Sequence, residues 1–291
     1  MFSEFLQFMF SGVTVGATYA LAALGFTLIY NASNVINFAQ GEFIMLGGML
    51  TVFFINSDIP MPVALVLAIV IPAAVGVLIE KLAIEPAKGA DTVSLIIVTI
   101  GVSLILRGVV QIWLGKSPAV FPAFSGDQPI KIGGAALAPQ SLWVLGMSAV
   151  IVLALWLFFN RTVAGKAILA TSIDPLAAQL VGINTKWVLM VCFALSAAIG
   201  AIGGILVTPI TMTSYDVGIM LGLKGFVAAI VGGLGSGLGA VAGGLLVGIV
   251  EQLAAGYISA AYKDAVPFLL IFVILFFMPR GLFGAKVTER V

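Results

Sequence analysis

The chain has 291 residues, of which 62% are apolar and 9% charged, with thirteen basic side chains against twelve acidic ones and no histidine. A soluble domain keeps about a quarter of its residues charged, so lipid rather than water is the main solvent here, and the even charge balance offers no basic field for a nucleic acid. A single cysteine, Cys192, with no histidine leaves neither an intrachain disulfide nor a transition-metal site to expect, and no cofactor is expected.

In lipid every backbone polar group must be satisfied inside a helix or a closed barrel. The apolar runs outlast the ~10-residue alternation of a barrel strand, so the fold class is all-α. The expectation is a polytopic integral membrane protein of eight or nine transmembrane helices, some broken at Gly/Asn-rich turns, in a single transmembrane domain over 1–291. The opening "MFSEFLQFMF" lacks the basic n-region of a secretory signal and leads into an apolar stretch too long for one, so it reads as a retained membrane helix.

At about 20 residues per crossing, the runs fall at 6–30, 35–55, 61–79, 93–114, 141–159, 187–208, 218–234, 238–258 and 265–279. The first two are separated only by "NASN" at 31–34, which demands a very tight turn, and the last run is short. Residues 36–43, "INFAQGEF", set Asn37, Gln40, Gly41 and Glu42 inside the second run. Four charges lie within spans: Glu42, Arg107, Lys224 and Glu251. Charges at membrane depth are costly and mark a translocation path or gate by default, although a structural ion pair or a snorkelling side chain is the plain alternative. By the helical rise of about 1.5 Å per residue, Lys224 and Glu251 lie roughly 10 Å from the outer ends of oppositely directed helices, so they are expected to pair or share a cleft. Arg107 falls at a similar depth, whereas Glu42, counted from Val35, falls about as far from the inner face, which argues against a direct Glu42–Arg107 bridge.

Sidedness follows from basic residues in short loops. The 80–92 loop carries Lys81 and Lys88, the 160–187 segment carries Arg161, Lys166 and Lys186, and the tail after 279 carries Arg280, Lys286 and Arg290; all three go to the cytoplasm. Nine crossings then put the N-terminus and the Pro/Gly-rich 115–140 stretch outside, with Asp127 but also Lys116 and Lys131. Within 160–187, Asp174 followed by Pro175 is a helix start and Gly182 a stop. The product is a helix of about two turns with Leu176 and Leu180 on one face. Two readings of it stand: a knob for a partner's groove, or a helix lying on lipid.

No catalytic motif appears. A nucleotide-binding G-x-x-x-x-G-K-[ST] is approached by "VQIWLGKS", but Val110 stands where the first glycine is required, and no G-x-S-x-G turn or catalytic histidine set is present. The N-x-[ST] matches at Asn31 and Asn160 fall in turns assigned to the cytoplasm. Glycine is abundant, with 34 residues, and is clustered in "GAIGGIL" and "VGGLGSGLGAVAGGLLVG". Gly235, Gly239 and Gly243 have the spacing that lets membrane helices approach closely; a broken helix lining a cavity is the functional alternative. "TLIYNASNVINFAQGEFIMLGG" and "AAIVGGLGSGLGAVAGGLLVGIVE" share an apolar run, a Gly/Asn break and a second glycine-bearing helix, which suggests an internal repeat crossing twice in the same sense.

Three segments, "GATYALAALGFTLIYNASNVINFAQGEF" (16–43), "AGKAILATSIDPLAAQLVGIN" (164–184) and "FVAAIVGGLGSGLGAVAGGLLVGIVEQL" (226–253), together resemble the permease subunits of ATP-binding-cassette importers for branched-chain amino acids, of the H-type in the Leu/Ile/Val system. The resemblance covers nearly the whole chain. It departs at Gln40, where family members often carry histidine, so no proton-relay role transfers to that position. The resemblance implies a non-enzymatic transport subunit in the bacterial inner membrane, with a homologous second permease, two cytoplasmic ATP-binding subunits and a periplasmic binding protein as partners besides the bilayer. It implies that Asp174, Pro175, Leu176, Leu180 and Gly182 form an ATPase-coupling helix. Related permeases carry urea, short amides or other neutral amino acids, and a secondary transporter or a channel are rivals from other classes.

Overall fold

The computed structural model describes residues 2–87, 89–126 and 128–284. Lys88, Asp127, Lys286 and Arg290, to which the sequence reading gave a side, lie outside the described residues. Helices follow the order of the nine apolar runs: α1 (Phe2–Ser33), α2 (Gln40–Asn56), α3 (Met61–Ile79, continued as a π-turn Glu80–Ile84), α4 (Thr92–Trp113), α5 (Pro139–Arg161), then α6 (Val163–Ile173) and α7 (Pro175–Leu180), α8 (Thr185–Thr211), α9 (Val217–Gly232), α10 (Gly237–Tyr257), a 3-10 turn Ala260–Ala265 and α11 (Val266–Phe277). Seven of the described helices are long and apolar enough to cross a membrane, while α2 and α9, of 17 and 16 residues, fall short. A small antiparallel hairpin, β1 (Ile130–Ile132) and β2 (Ala135–Leu137), precedes α5. The chain is an all-α polytopic membrane protein.

The two short helices explain the architecture. α1 ends on Asn34 and α8 on Met212, each a non-glycine residue with positive φ, 55° and 64°. A positive φ ends helical geometry; Asp58, just past α2, takes one as well (59°). After α1 and α8 a few irregular residues, 34–39 and 212–216, carry the chain back into the bundle before α2 or α9 begins. α2 starts part-way across: Gln40 lies against Ser196 and Gly200, midway along α8. Gly41 in turn meets Gly218 and Gly222, so α9 starts at the same level. α1 packs against α9 and α10, and α8 packs against α2 and α3. The result is an inverted repeat, α1–α2–α3 against α8–α9–α10, with the first turns of α2 and α9 touching at its centre.

This corrects the repeat read from sequence. The partner of the 34–39 break is 212–216, not "GGLGSG", and the two halves cross in opposite senses. "GGLGSG" is a tight turn between α9 and α10 with Gly233 and Gly235 at positive φ, and Ser236 caps α10 by accepting from Gly239 N at 3.0 Å. Gly239 and Gly243 serve close packing, since a Cβ on either would collide with α9 backbone at Gly232 or Ala228.

The loops gather at two ends. At one end Asn31 donates to the Gly235 carbonyl (3.0 Å) and Lys186 pairs with Glu85 (2.6 Å), joining the end of α1, the 84–91 loop, the α9–α10 turn and the start of α8. At the other, Gln7 accepts from Ala136 N of the hairpin (2.7 Å), and Ala119 bridges to Thr213 beyond α8. The 80–92 and 160–187 segments thus share one end, and the loop with Lys116 and Lys131 lies at the other. The 160–187 segment, expected to carry one short helix, carries two: α6 turns sharply off α5 at Thr162, whose hydroxyl accepts from Gly165 N at 2.9 Å. A Cβ at Gly165 would collide with the Phe158 carbonyl, so only glycine allows that corner.

Candidate functional site

Two polar clusters sit in the apolar bundle, one on each half of the repeat. The first surrounds the start of α2. Asn37 and Gln40 are wholly buried and Glu42 is 1% exposed. The Asn37 side-chain oxygen accepts from Ala39 N (3.1 Å) and its carbonyl from Gln40 N (3.1 Å), a turn that sets the first residues of α2. Gln40 fills the gap between α1 and α8: its Nε2 donates to the Ser196 carbonyl (3.2 Å), and its oxygen faces the Ser196 hydroxyl. It fits because Gly25 has no side chain there; a Cβ on Gly25 would collide with the Gln40 amide.

Glu42 Oε1 accepts from the Ser103 hydroxyl at 2.7 Å and lies 3.3 Å from Arg107 Nε. The Arg107 contact is an ion pair without hydrogen-bond alignment. Oε2 has no hydrogen-bond partner and rests against Gly218, where an added Cβ would come within 2.8 Å of it. The carboxylate therefore lies at the first turns of both α2 and α9, whose free amides and dipoles favour negative charge. On α4, Thr99, Ser103 and Arg107 recur every four residues on one face; Thr99 accepts from Phe38 N at 3.2 Å. That polar stripe ties α4, much of which is exposed, to the break before α2.

The Glu42–Arg107 pair overturns the expectation drawn from depth. That expectation counted Glu42 at the helical rise from Val35, but 34–39 are not helical, and extended backbone advances about 3.3 Å per residue against 1.5 Å in a helix. Glu42 thus reaches the level of Ser103, midway along α4.

The second cluster matches the expected pairing. Lys224 Nζ lies 2.7 Å from Glu251 Oε1, and both side chains are buried. Two partners were not foreseen: Asp264, in the turn before α11, is 2.6 Å from the same ammonium, and the Tyr19 hydroxyl donates to Glu251 Oε2 at 2.9 Å. Every charged group buried here has an opposite charge or a donor, the condition under which a buried ion pair is tolerable. Among the described residues no hydrogen bond or ion pair joins the two clusters. Ser103, Thr99 and Ser196 were also missed; the first two were legible as a four-residue period with Arg107 on an apolar helix.

α7 stands apart from both. The Asp174 carboxylate accepts from Leu176 N (2.9 Å) and Ala177 N (3.0 Å), Pro175 occupies the first turn, and Gly182 closes the element with φ 89°. Leu176 and Leu180 are 73% and 89% exposed. The helix presents apolar side chains outward from a rigid, doubly capped turn.

Over residues 8–275 the chain matches the family described as "Branched-chain amino acid transport system / permease component". It is 35% identical to the "High-affinity branched-chain amino acid transport system permease protein LivH" of Escherichia coli strain K12, covering 100% of this chain and 99% of that protein. It is 30% identical to the "High-affinity branched-chain amino acid transport system permease protein BraD" of Pseudomonas aeruginosa, covering 99% and 98%. A solved structure, "PsaBC from Streptococcus pneumoniae in complex with Fab", aligns with a TM-score of 0.52 at 15% identity over 96% of this chain and 97% of that one, a likeness of fold alone.

Proposed function

The chain belongs to the family of permease components of branched-chain amino acid transport systems, and on that premise we propose that it carries leucine, isoleucine and valine across the bacterial inner membrane. It acts as one membrane-spanning domain over 1–291 of an ATP-binding-cassette importer. Its partners are a homologous second permease, two cytoplasmic ATP-binding subunits and a periplasmic binding protein, and ATP hydrolysis belongs to those subunits. The single observation that carries the reading is the outward apolar face of α7, with Leu176 and Leu180 exposed on a capped turn at the basic end of the bundle. Such a knob fits the groove of an ATP-binding subunit, and closure of two of them would rock the permease pair between outward-open and inward-open states.

The path runs along the face shared by α4, α9 and α11. The Arg107 side chain is 21% exposed, the Asp264 side chain 51%, and Asp216, at the foot of α9, is exposed. A charge facing hydrocarbon costs about 2.5–3.5 kcal/mol or more, so this face turns toward water and the second permease. It offers a cation for the substrate carboxylate and acids for its ammonium, beside exposed Ile219 and Met220 for the aliphatic side chain. Asn37, Gln40, Gly41 and Glu42 are positioning residues: they are buried and hold Arg107 and the α2–α9 junction rather than meet solute. Lys224 and Glu251 do the same for Asp264. The test is uptake by a strain deleted for this chain and complemented with it. Labelled leucine uptake that requires the binding protein and an intact ATPase is expected; uptake of urea with no uptake of leucine would overturn the substrate class, and uptake indifferent to the ATPase would overturn the importer.

A further inference from the structure

A groove runs between α5 and α10, with α1 as its floor, in two chambers of about 260 and 480 Å³ that share Val152, Trp156 and Leu238. None of its lining residues belongs to α2, α4, α9 or α11. On α1 it extends from Val13 to Asn31, roughly 27 Å at the helical rise, close to the ~30 Å of a bilayer's hydrocarbon core. The outer chamber is almost wholly apolar, while Asn31 and Asn160 give the inner one a polar end. Thr27, 4% exposed, lies six residues from the end of α1, about 9 Å along the helix, just below a headgroup region 5–8 Å thick. Basic residues flank that end. Arg161 ends α5 immediately after the lining residue Asn160, and Lys166 follows in α6, which contributes Leu169 to the same chamber. Both are exposed, and among the described residues neither has an acidic partner.

We propose that this groove holds one anionic glycerophospholipid of the inner leaflet. One acyl chain lies along α1 past Trp156, and the phosphate lies between Arg161 and Lys166. The charge of the basic end selects an anionic headgroup over a zwitterionic one, and the length of the groove fits a chain lying along the membrane normal. Association is of acyl chain with apolar wall, so it survives dilution of bulk lipid better than headgroup contact alone would.

The test is native mass spectrometry of the full-length chain purified in mild detergent from membranes of mixed phosphatidylglycerol and phosphatidylethanolamine. One retained phosphatidylglycerol per chain is expected. Arg161→Gln with Lys166→Gln should lower its occupancy at least threefold without raising phosphatidylethanolamine above its starting level. Ala149→Phe, which fills the outer chamber from α5, should lower it by a similar factor with both basic residues intact. A photoreactive amino acid at Trp156 should crosslink to lipid. Equal retention of the two lipids, occupancy unmoved by both variants, or crosslinking at Trp156 to a polypeptide would each overturn the proposal.

Discussion

Neutralising Lys224 with Lys224→Met tests whether the second cluster holds the bundle through compensated charge. The ammonium stands 2.7 Å from Glu251 and 2.6 Å from Asp264, and the side chains of Lys224 and Glu251 are 6% and 2% exposed. Removing it leaves a buried carboxylate whose other neighbour is the Tyr19 hydroxyl. Breaking one side of a buried pair costs about 3–5 kcal/mol, whereas replacing the whole pair by neutral groups of similar volume is often close to neutral. The double variant Lys224→Met with Glu251→Gln retains a side-chain carbonyl for Tyr19, and the Asp264 side chain is half-exposed and can be hydrated. The double is therefore expected to lose about 1 kcal/mol, less than the single, with a coupling of about 2–3 kcal/mol. Reversible unfolding in mixed micelles, followed by tryptophan fluorescence against the mole fraction of a denaturing detergent, reads each loss. Losses that simply add, or a Lys224→Met protein as stable as the parent, would refute the reasoning.

Gly41→Ala should abolish folded, transport-competent protein, because its Cβ would collide with the Gly218 carbonyl; Gly101→Ala on α4, where nothing lies within 4 Å, should stay within about 0.5 kcal/mol of the parent. Monodisperse yield on detergent size exclusion separates the two. Ser103→Ala removes the one hydrogen bond that the Glu42 carboxylate makes among the described residues and should cost about 1–3 kcal/mol in the same unfolding assay, since a buried carboxylate loses a donor. Asp174→Ala removes the cap of α7, worth about 1 kcal/mol locally, and should leave ATP hydrolysis running without matching uptake in vesicles; hydrolysis and uptake falling together, or neither changing, would contradict the coupling role.

Runs of apolar residues located the helices closely, because length and hydropathy decide what crosses a bilayer. They could not reveal that α2 and α9 begin inside it. "INFAQGEF" reads as a continuation of a span, and only the non-helical path of 34–39 lifts Glu42 to the level of Ser103 and Arg107. Its counterpart, 212–216, opens on Met212 at positive φ, a residue with no intrinsic preference for that conformation; the apolar run visibly stops at 208, beside Pro209, but nothing in it says that the chain turns back at membrane depth. The glycine-rich turn drew attention instead, since composition marks turns more strongly than it marks depth. The Lys224–Glu251 pair was legible because both are charged within apolar runs. Asp264 was not, since "YKDAVPF" resembles a hydrated loop before a helix. α6 escaped notice because its helical stretch is short and shows no sharply divided face.

The seam at the centre of the molecule is made of Gly41 against Gly218 and Gly222, main chain upon main chain. Most helix contacts interlock like gear teeth, and shifting one against another means lifting side chains out of their sockets. Here there are no teeth. The two halves meet here on a smooth bearing, so sliding α2 over α9 at these glycines would lift no side chain out of a socket.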